Sequence, residues 1–126
     1  MKSFILYHNP KWGKSRGAVQ LLIERKVSFE IIEYLKVKIS PNDILGLSKK
    51  LKIPPRGFIR KGEADFKNNN LERFLLDDRK MAGAISEFPK IMERPIAVYG
   101  EKAIIGRPSE KVLSLLIEEK WEWRKL

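Results

Sequence analysis

The strongest constraint on the fold is a strand, a helix and a second strand following one another between Ser3 and Leu35. Ser3-Phe4-Ile5-Leu6-Tyr7 is a short apolar run that stops at Asn9-Pro10, the pattern of a buried strand ending in a turn. Ser15 to Lys26 has helical periodicity, with Ala18, Val19, Leu21, Leu22 and Ile23 on a broad apolar face and Arg25-Lys26 at a basic end. Ser28 to Leu35, rich in β-branched and aromatic residues, predicts a second strand. At this short spacing the two strands are parallel neighbours joined by a right-handed crossover.

The pattern then turns helical. Ser40 is placed to cap a helix that has Pro41 at its first position and Ile44, Leu47 and Leu51 at helical spacing, ending before Pro54-Pro55. A helical segment through Leu71, Phe74 and Leu75 follows an Asn68-Asn69-Asn70 loop, and another opens at Asp77 or Asp78 and carries Met81, Ala82, Ile85 and Phe88. Ile96 to Tyr99 and Lys102 to Ile105, joined by Gly100-Glu101, predict an antiparallel hairpin. Pro108 and Ser109 open a last helix with Val112, Leu113, Leu116 and Ile117 apolar. Trp121 and Trp123 stand at alternate positions beyond it and are expected to cover the core edge or fray with the tail. The result is βαβ, a helical insertion, then ββα: an α/β fold with a mixed sheet of about four strands and flanking helices. No repeat or flexible linker interrupts the 126 residues, so residues 1–126 are expected to form one domain.

Composition narrows the chemistry further. At 43% hydrophobic and 33% charged the chain is outside the disordered and fibrous classes. No apolar run approaches the roughly 20 residues that span a bilayer, and Met1-Lys2-Ser3-Phe4 carries no signal-peptide cleavage pattern, so a cytoplasmic location without membrane association is expected. Cysteine is absent, which excludes disulfides, thiolate metal sites and thiol-based reactions on this polypeptide. The single histidine, His8, gives no basis for a metal site, and no cofactor is expected. The net charge of +10 favours anionic partners, although a solubilising surface accounts for such an excess equally well.

Four ordered blocks carry a family resemblance. The segment Tyr7-His8-Asn9-Pro10-Lys11-Trp12-Gly13-Lys14-Ser15-Arg16 resembles the opening of the ArsC/Spx family of arsenate reductases. Phe58-Ile59-Arg60-Lys61-Gly62-Glu63, Glu93-Arg94-Pro95-Ile96 and Gly106-Arg107-Pro108-Ser109-Glu110 resemble three later family blocks in the same order, so the likeness runs from about Phe4 to Ile117. It implies a thioredoxin-like fold and a cis peptide bond at Arg94-Pro95. It also implies that Arg60, Arg94 and Arg107 hold an oxyanion, attacked in the family by a cysteine whose electrons are restored by glutathione and glutaredoxin. A guanidinium suits that task because it is always charged and offers paired donors to a tetrahedral anion. The loop of His8, Asn9, Gly13, Lys14, Ser15 and Arg16 would support the site at a helix start, where free N–H groups and the helix dipole favour an anion.

Trp12 stands where the family has its cysteine. An indole offers one N–H donor and no nucleophile. Ser15, at the place of the second cysteine in Spx regulators, cannot form a disulfide. The resemblance therefore implies an arginine set for arsenate, phosphate or sulfate without the redox nucleophile, with the Trp12 ring either stacking beside the anion or filling its place. Taken without the family, the three arginines are ordinary turn-position residues, His8 an ordinary strand-end histidine, and Lys11, Lys14 and Arg16 a solvated face. The alternative function is an Spx-like adaptor that binds an acidic protein partner. Nucleic-acid binding ranks last, since charge alone supports it.

Overall fold

A computed structural model describes residues 3–116; Ile117, Trp121 and Trp123, for which the sequence raises expectations, lie outside the described residues. The chain divides after Glu33 and after Glu93 into two compact units, the first taking both ends of the sequence and the second being the insertion Tyr34–Glu93.

The first unit is built on a four-stranded sheet in the order β2-β1-β3-β4. Its strands are β1 (Phe4–His8), β2 (Phe29–Glu33), β3 (Ile96–Tyr99) and β4 (Lys102–Ile105), and helix α1 (Gly13–Glu24) connects the first two. β1 and β2 are parallel, with Phe4 beside Phe29 and His8 beside Glu33. β3 runs antiparallel to both β1 and β4, pairing Tyr7 with Ile96 and Ile96 with Ile105. The sheet is mixed: the α1 crossover returns the chain parallel to β1, whereas the Gly100 turn, with φ of 63°, reverses it at once between β3 and β4.

The core of this unit follows from the two periodicities. Phe4 and Leu6, two apart on β1, face Ala18 and Leu22, which are four apart on α1, and Ala97, Val112, Leu113 and Leu115 close the cluster. Each fully buried Leu or Phe of this kind contributes about 1.5–3 kcal/mol relative to exposure. A 3-10 turn, Ser109–Leu113, stands where a regular helix was expected, and residues 114–116 continue it helically.

α1 starts two residues before the predicted Ser15 and ends before the predicted Lys26. Its end is a Schellman closure: Lys26 takes φ of 56°, its N–H donates to Ile23 O, and Val27 N–H donates to Leu22 O at 3.0 Å.

The second unit is the helical insertion. Helix α2 (Pro41–Leu51) opens as predicted, with Ser40 Oγ accepting from Asp43 N–H at 3.0 Å and Pro41 at the first position, where its missing N–H has no partner to lose. It also closes on a left-handed lysine, Lys52. A short helix α3 (Ala64–Asn68) takes in Asn68, which corrects the three-asparagine loop; only Asn69 and Asn70 turn the chain. The segment through Leu71 and Phe74 is a 3-10 turn, and Leu75 follows it. Helix α4 (Asp78–Glu87) is capped by Asp77, whose Oδ1 accepts from Lys80 N–H. Ile44, Leu47, Phe58, Phe66, Leu71, Met81, Ile85, Ile91 and Met92 are buried in this unit. Among the described residues no helix is long and apolar enough to cross a membrane.

Candidate functional site

The end of β1 delivers His8 and Asn9 to the start of α1, and a short hydrogen-bonded loop fills the gap. Asn9 O accepts from Trp12 N–H at 3.1 Å, and Asn9 Oδ1 accepts from Lys11 N–H at 3.1 Å. Arg16 Nη1 donates to Pro10 O at 3.0 Å, so the first turn of α1 clasps the loop from the other side. Trp12 has the extended backbone of an N-cap residue, and its carbonyl accepts from Arg16 N–H, but its side chain makes no capping bond. With no acidic residue in the first turn, Gly13 and Lys14 leave the positive end of the α1 dipole uncompensated by side-chain charge.

Beneath the loop lies a buried polar cluster. Ser15, fully buried, receives Asn9 N–H at 2.9 Å and lies 2.7 Å from His8 Nδ1. Burial pushes the His8 imidazole below its ordinary value; Glu33, beside it in the sheet, offsets this in part, and Arg16 adds to it. With the ring neutral and Ser15 Oγ already accepting from Asn9, the assignment that uses every group has the serine hydroxyl donate to Nδ1 and the ring proton on Nε2. Ser15 thus serves here as a structural strut for the loop.

The β3–β4 ladder supplies the arginines. Just past the Ile96–Ile105 pair, Gly106 N–H donates to Pro95 O at 2.8 Å and Arg107 N–H to Ile105 O at 3.0 Å, so Arg94 and Arg107 stand at the same end of the hairpin. Both arginines precede cis prolines, at Arg94-Pro95 and Arg107-Pro108; the second was not anticipated. Gly106 is obligatory on steric grounds, since a Cβ there would stand 2.8 Å from both Pro95 Cγ and Val112 Cγ1. Ser109 Oγ donates to Lys14 O at 2.7 Å, tying this corner to the first turn of α1. Sequence reasoning had placed Ser109 at a helix start and in the last family block, not in this bond.

Arg94 is buried, at 3% exposure, and its Cζ lies 3.8 Å from the Trp12 ring centroid. Trp12 itself is 42% exposed. The guanidinium carbon thus sits over the indole ring in a cation–π contact.

Of the sequence-predicted residues, His8, Asn9, Trp12, Gly13, Lys14, Ser15, Arg16, Arg94, Pro95 and Arg107 all belong to the first unit. Arg60 belongs to the second. There its N–H donates to Ile91 O at 2.6 Å, and its guanidinium lies 3.6 Å from Glu63 Oε1 and 3.9 Å from Glu93 Oε1. The Ile59–Met92 bridge and the Glu93 N–H to Phe58 O bond fix this position. Among the described residues no group of three His, Cys, Asp or Glu side chains is arranged to hold a metal.

Comparison with known proteins gives a consistent picture. The ArsC family model matches residues 7–115. An arsenate reductase of Haemophilus influenzae is 39% identical over 115 residues, covering 90% of this chain and 99% of that one. An arsenate reductase of Neisseria meningitidis is 32% identical over 117 residues, covering 92% of this chain and all of the other. Among solved structures, an arsenate reductase from Vibrio cholerae superposes with a TM-score of 0.84 at 36% identity, over 89% of this chain and 96% of that one.

Proposed function

The chain belongs to the ArsC family, and from that membership we propose that it binds a tetrahedral oxyanion without carrying out thiol-dependent arsenate reduction. The observation that carries this reading is the Trp12–Arg94 stack: the residue at the family's nucleophile position is an indole lying over a buried arginine.

By the family route a cysteine thiolate attacks arsenic and forms a sulfur–arsenic bond with loss of water. Glutathione and glutaredoxin thiols then supply the two electrons that take As(V) to As(III), and are themselves oxidised to a disulfide. This polypeptide has no cysteine, and neither the indole of Trp12 nor the hydroxyl of Ser15 can act in the thiolate's place. Binding needs none of this. The start of α1, the Arg94 fork and Arg107 together offer positive potential and N–H donors suited to phosphate, sulfate or arsenate.

The test has two arms on the purified protein. In a glutathione- and glutaredoxin-coupled assay, arsenate turnover should not exceed the protein-free rate; robust arsenite production overturns the loss of catalysis. In thermal unfolding, arsenate, phosphate or sulfate should raise the melting temperature in proportion to the logarithm of concentration. Arg94→Lys, which keeps the charge but loses the fork, should weaken that shift. Absence of any shift with all three anions overturns the binding site. The net charge of +10 supports a second reading, an Spx-like adaptor for an acidic protein surface. Salt-sensitive retention on an immobilised acidic protein, with no anion-dependent stabilisation, would favour it.

A further inference from the structure

We propose that the helical unit carries a separate binding site for a small amphipathic anion, an aromatic group bearing one carboxylate or sulfonate. A cavity of about 700 Å³ opens there, within the size range of small-molecule sites. Its apolar walls are Leu71, Phe74, Ala84 and Phe88, and Arg73 and Lys80 line it as well. All belong to Tyr34–Glu93, so Trp12 and Arg94 take no part.

The cavity has a physical origin in α4. Met81, Ala82, Ala84, Ile85 and Ser86 are buried, and Lys80, Gly83, Ala84 and Glu87 share the helical spacing that lines the cavity. Two of those four are the smallest residues available. A Cβ built on Gly83 meets no heavy atom within 4 Å, so nothing in the unit fills the space beside it.

Charge and aromatic placement define the guest. Arg73 Nε donates to Asn70 O at 3.1 Å, and Asn70 holds the left-handed turn with φ of 51° that brings the chain back toward Leu71. Its guanidinium carbon lies 4.4 Å from the Phe74 ring centroid, and Lys80 Nζ lies 5.9 Å from the same ring. Both cations, though exposed, thus lie beside the same aromatic wall. Glu87 is the one opposing charge among the lining residues, so cations outnumber anions two to one. An aromatic ring would pack against Phe74 and Phe88 while its acidic group met Arg73 and Lys80.

Two dyes of nearly equal shape test this: 1-anilinonaphthalene-8-sulfonate, an aromatic anion, and its uncharged counterpart N-phenyl-1-naphthylamine. The sulfonate should bind the intact protein saturably at one site with enhanced fluorescence. Gly83→Leu, which fills the cavity, should weaken that binding about tenfold or more. This variant should keep its melting temperature, because leucine is the better helix former and the space beside residue 83 is open. The exposed double variant Arg73→Gln/Lys80→Gln provides an independent arm: it should weaken the sulfonate and leave the neutral dye unaffected. Arg94→Lys should change neither dye, which separates this site from the oxyanion site. Unsaturable sulfonate binding, binding indifferent to Gly83→Leu, or equal loss of both dyes in the double variant overturns the proposal.

Discussion

The guanidinium carbon of Arg94 lies over the indole ring of Trp12, with 3.8 Å from Cζ to the ring centroid. Arg94 is buried, at the same time as it carries this ring contact. Removing the ring in Trp12→Ala should lower stability by about 1 kcal/mol, within the range of partly desolvated cation–π contacts. Trp12→Phe should recover part of that loss. Urea unfolding of the three proteins measures both, and identical midpoints would show that the stack contributes nothing.

Replacing Trp12 with cysteine restores sulfur at the start of α1. A thiol there meets the positive end of a helix dipole and the Arg94 charge, which favour the thiolate. As the only cysteine of the variant, it should react with iodoacetamide with a midpoint below the ordinary value of about 8.5. Glutathione-dependent arsenate reduction should rise above the parent's rate in the coupled assay. A thiol of ordinary acidity and no turnover would show that the surroundings of residue 12 do not activate a nucleophile.

His8 is the only histidine, so a single imidazole resonance reports its titration. Burial holds its folded value below 6.5, with Glu33 opposing and Arg16 assisting. Because the neutral ring is favoured in the folded state, the unfolded chain binds the proton more readily. The His8 contribution is therefore intact above pH 6.5 and is lost as pH falls from 6.5 through the folded value. An NMR titration should give a midpoint below 6.5, and His8→Phe should flatten the slope of stability against pH in that window. A midpoint at or above 6.5 would contradict the assignment.

Gly106→Ala should be among the most damaging small substitutions in the sheet unit. The added methyl would stand 2.8 Å from the Pro95 ring and from the fully buried Val112. Neither neighbour is a flexible side-chain end, so strain of about 1–3 kcal/mol is expected. The shift in urea midpoint measures it, and the same substitution should weaken any oxyanion-dependent stabilisation, since Arg107 follows directly.

Local signals were legible in the sequence where local physics decides the outcome. The hairpin is as its alternation and Gly100 predict, and α2 begins at Pro41 beneath a Ser40 cap. The ends of α1 and α2 were harder, because Lys26 and Lys52 occupy the left-handed positions where glycine usually gives the stop away. α3 was missed because five residues are too few to show a helical period. At the site, the loop residues and the arginine pair came from the family blocks, not from spacing. The Trp12–Arg94 stack and the Ser109–Lys14 bond join residues distant in sequence, and no local pattern announces either.

The interruption of the sheet unit by Tyr34–Glu93 bears on how the protein is made. A chain leaving the ribosome releases β1, α1 and β2 early, but β3, which lies between β1 and β4, only after the whole insertion has been synthesised. Until then the β3-facing edge of β1 has no strand to pair with, and its eventual partner must be recruited across a long stretch of chain, the kind of closure that slows assembly and invites off-pathway association during synthesis.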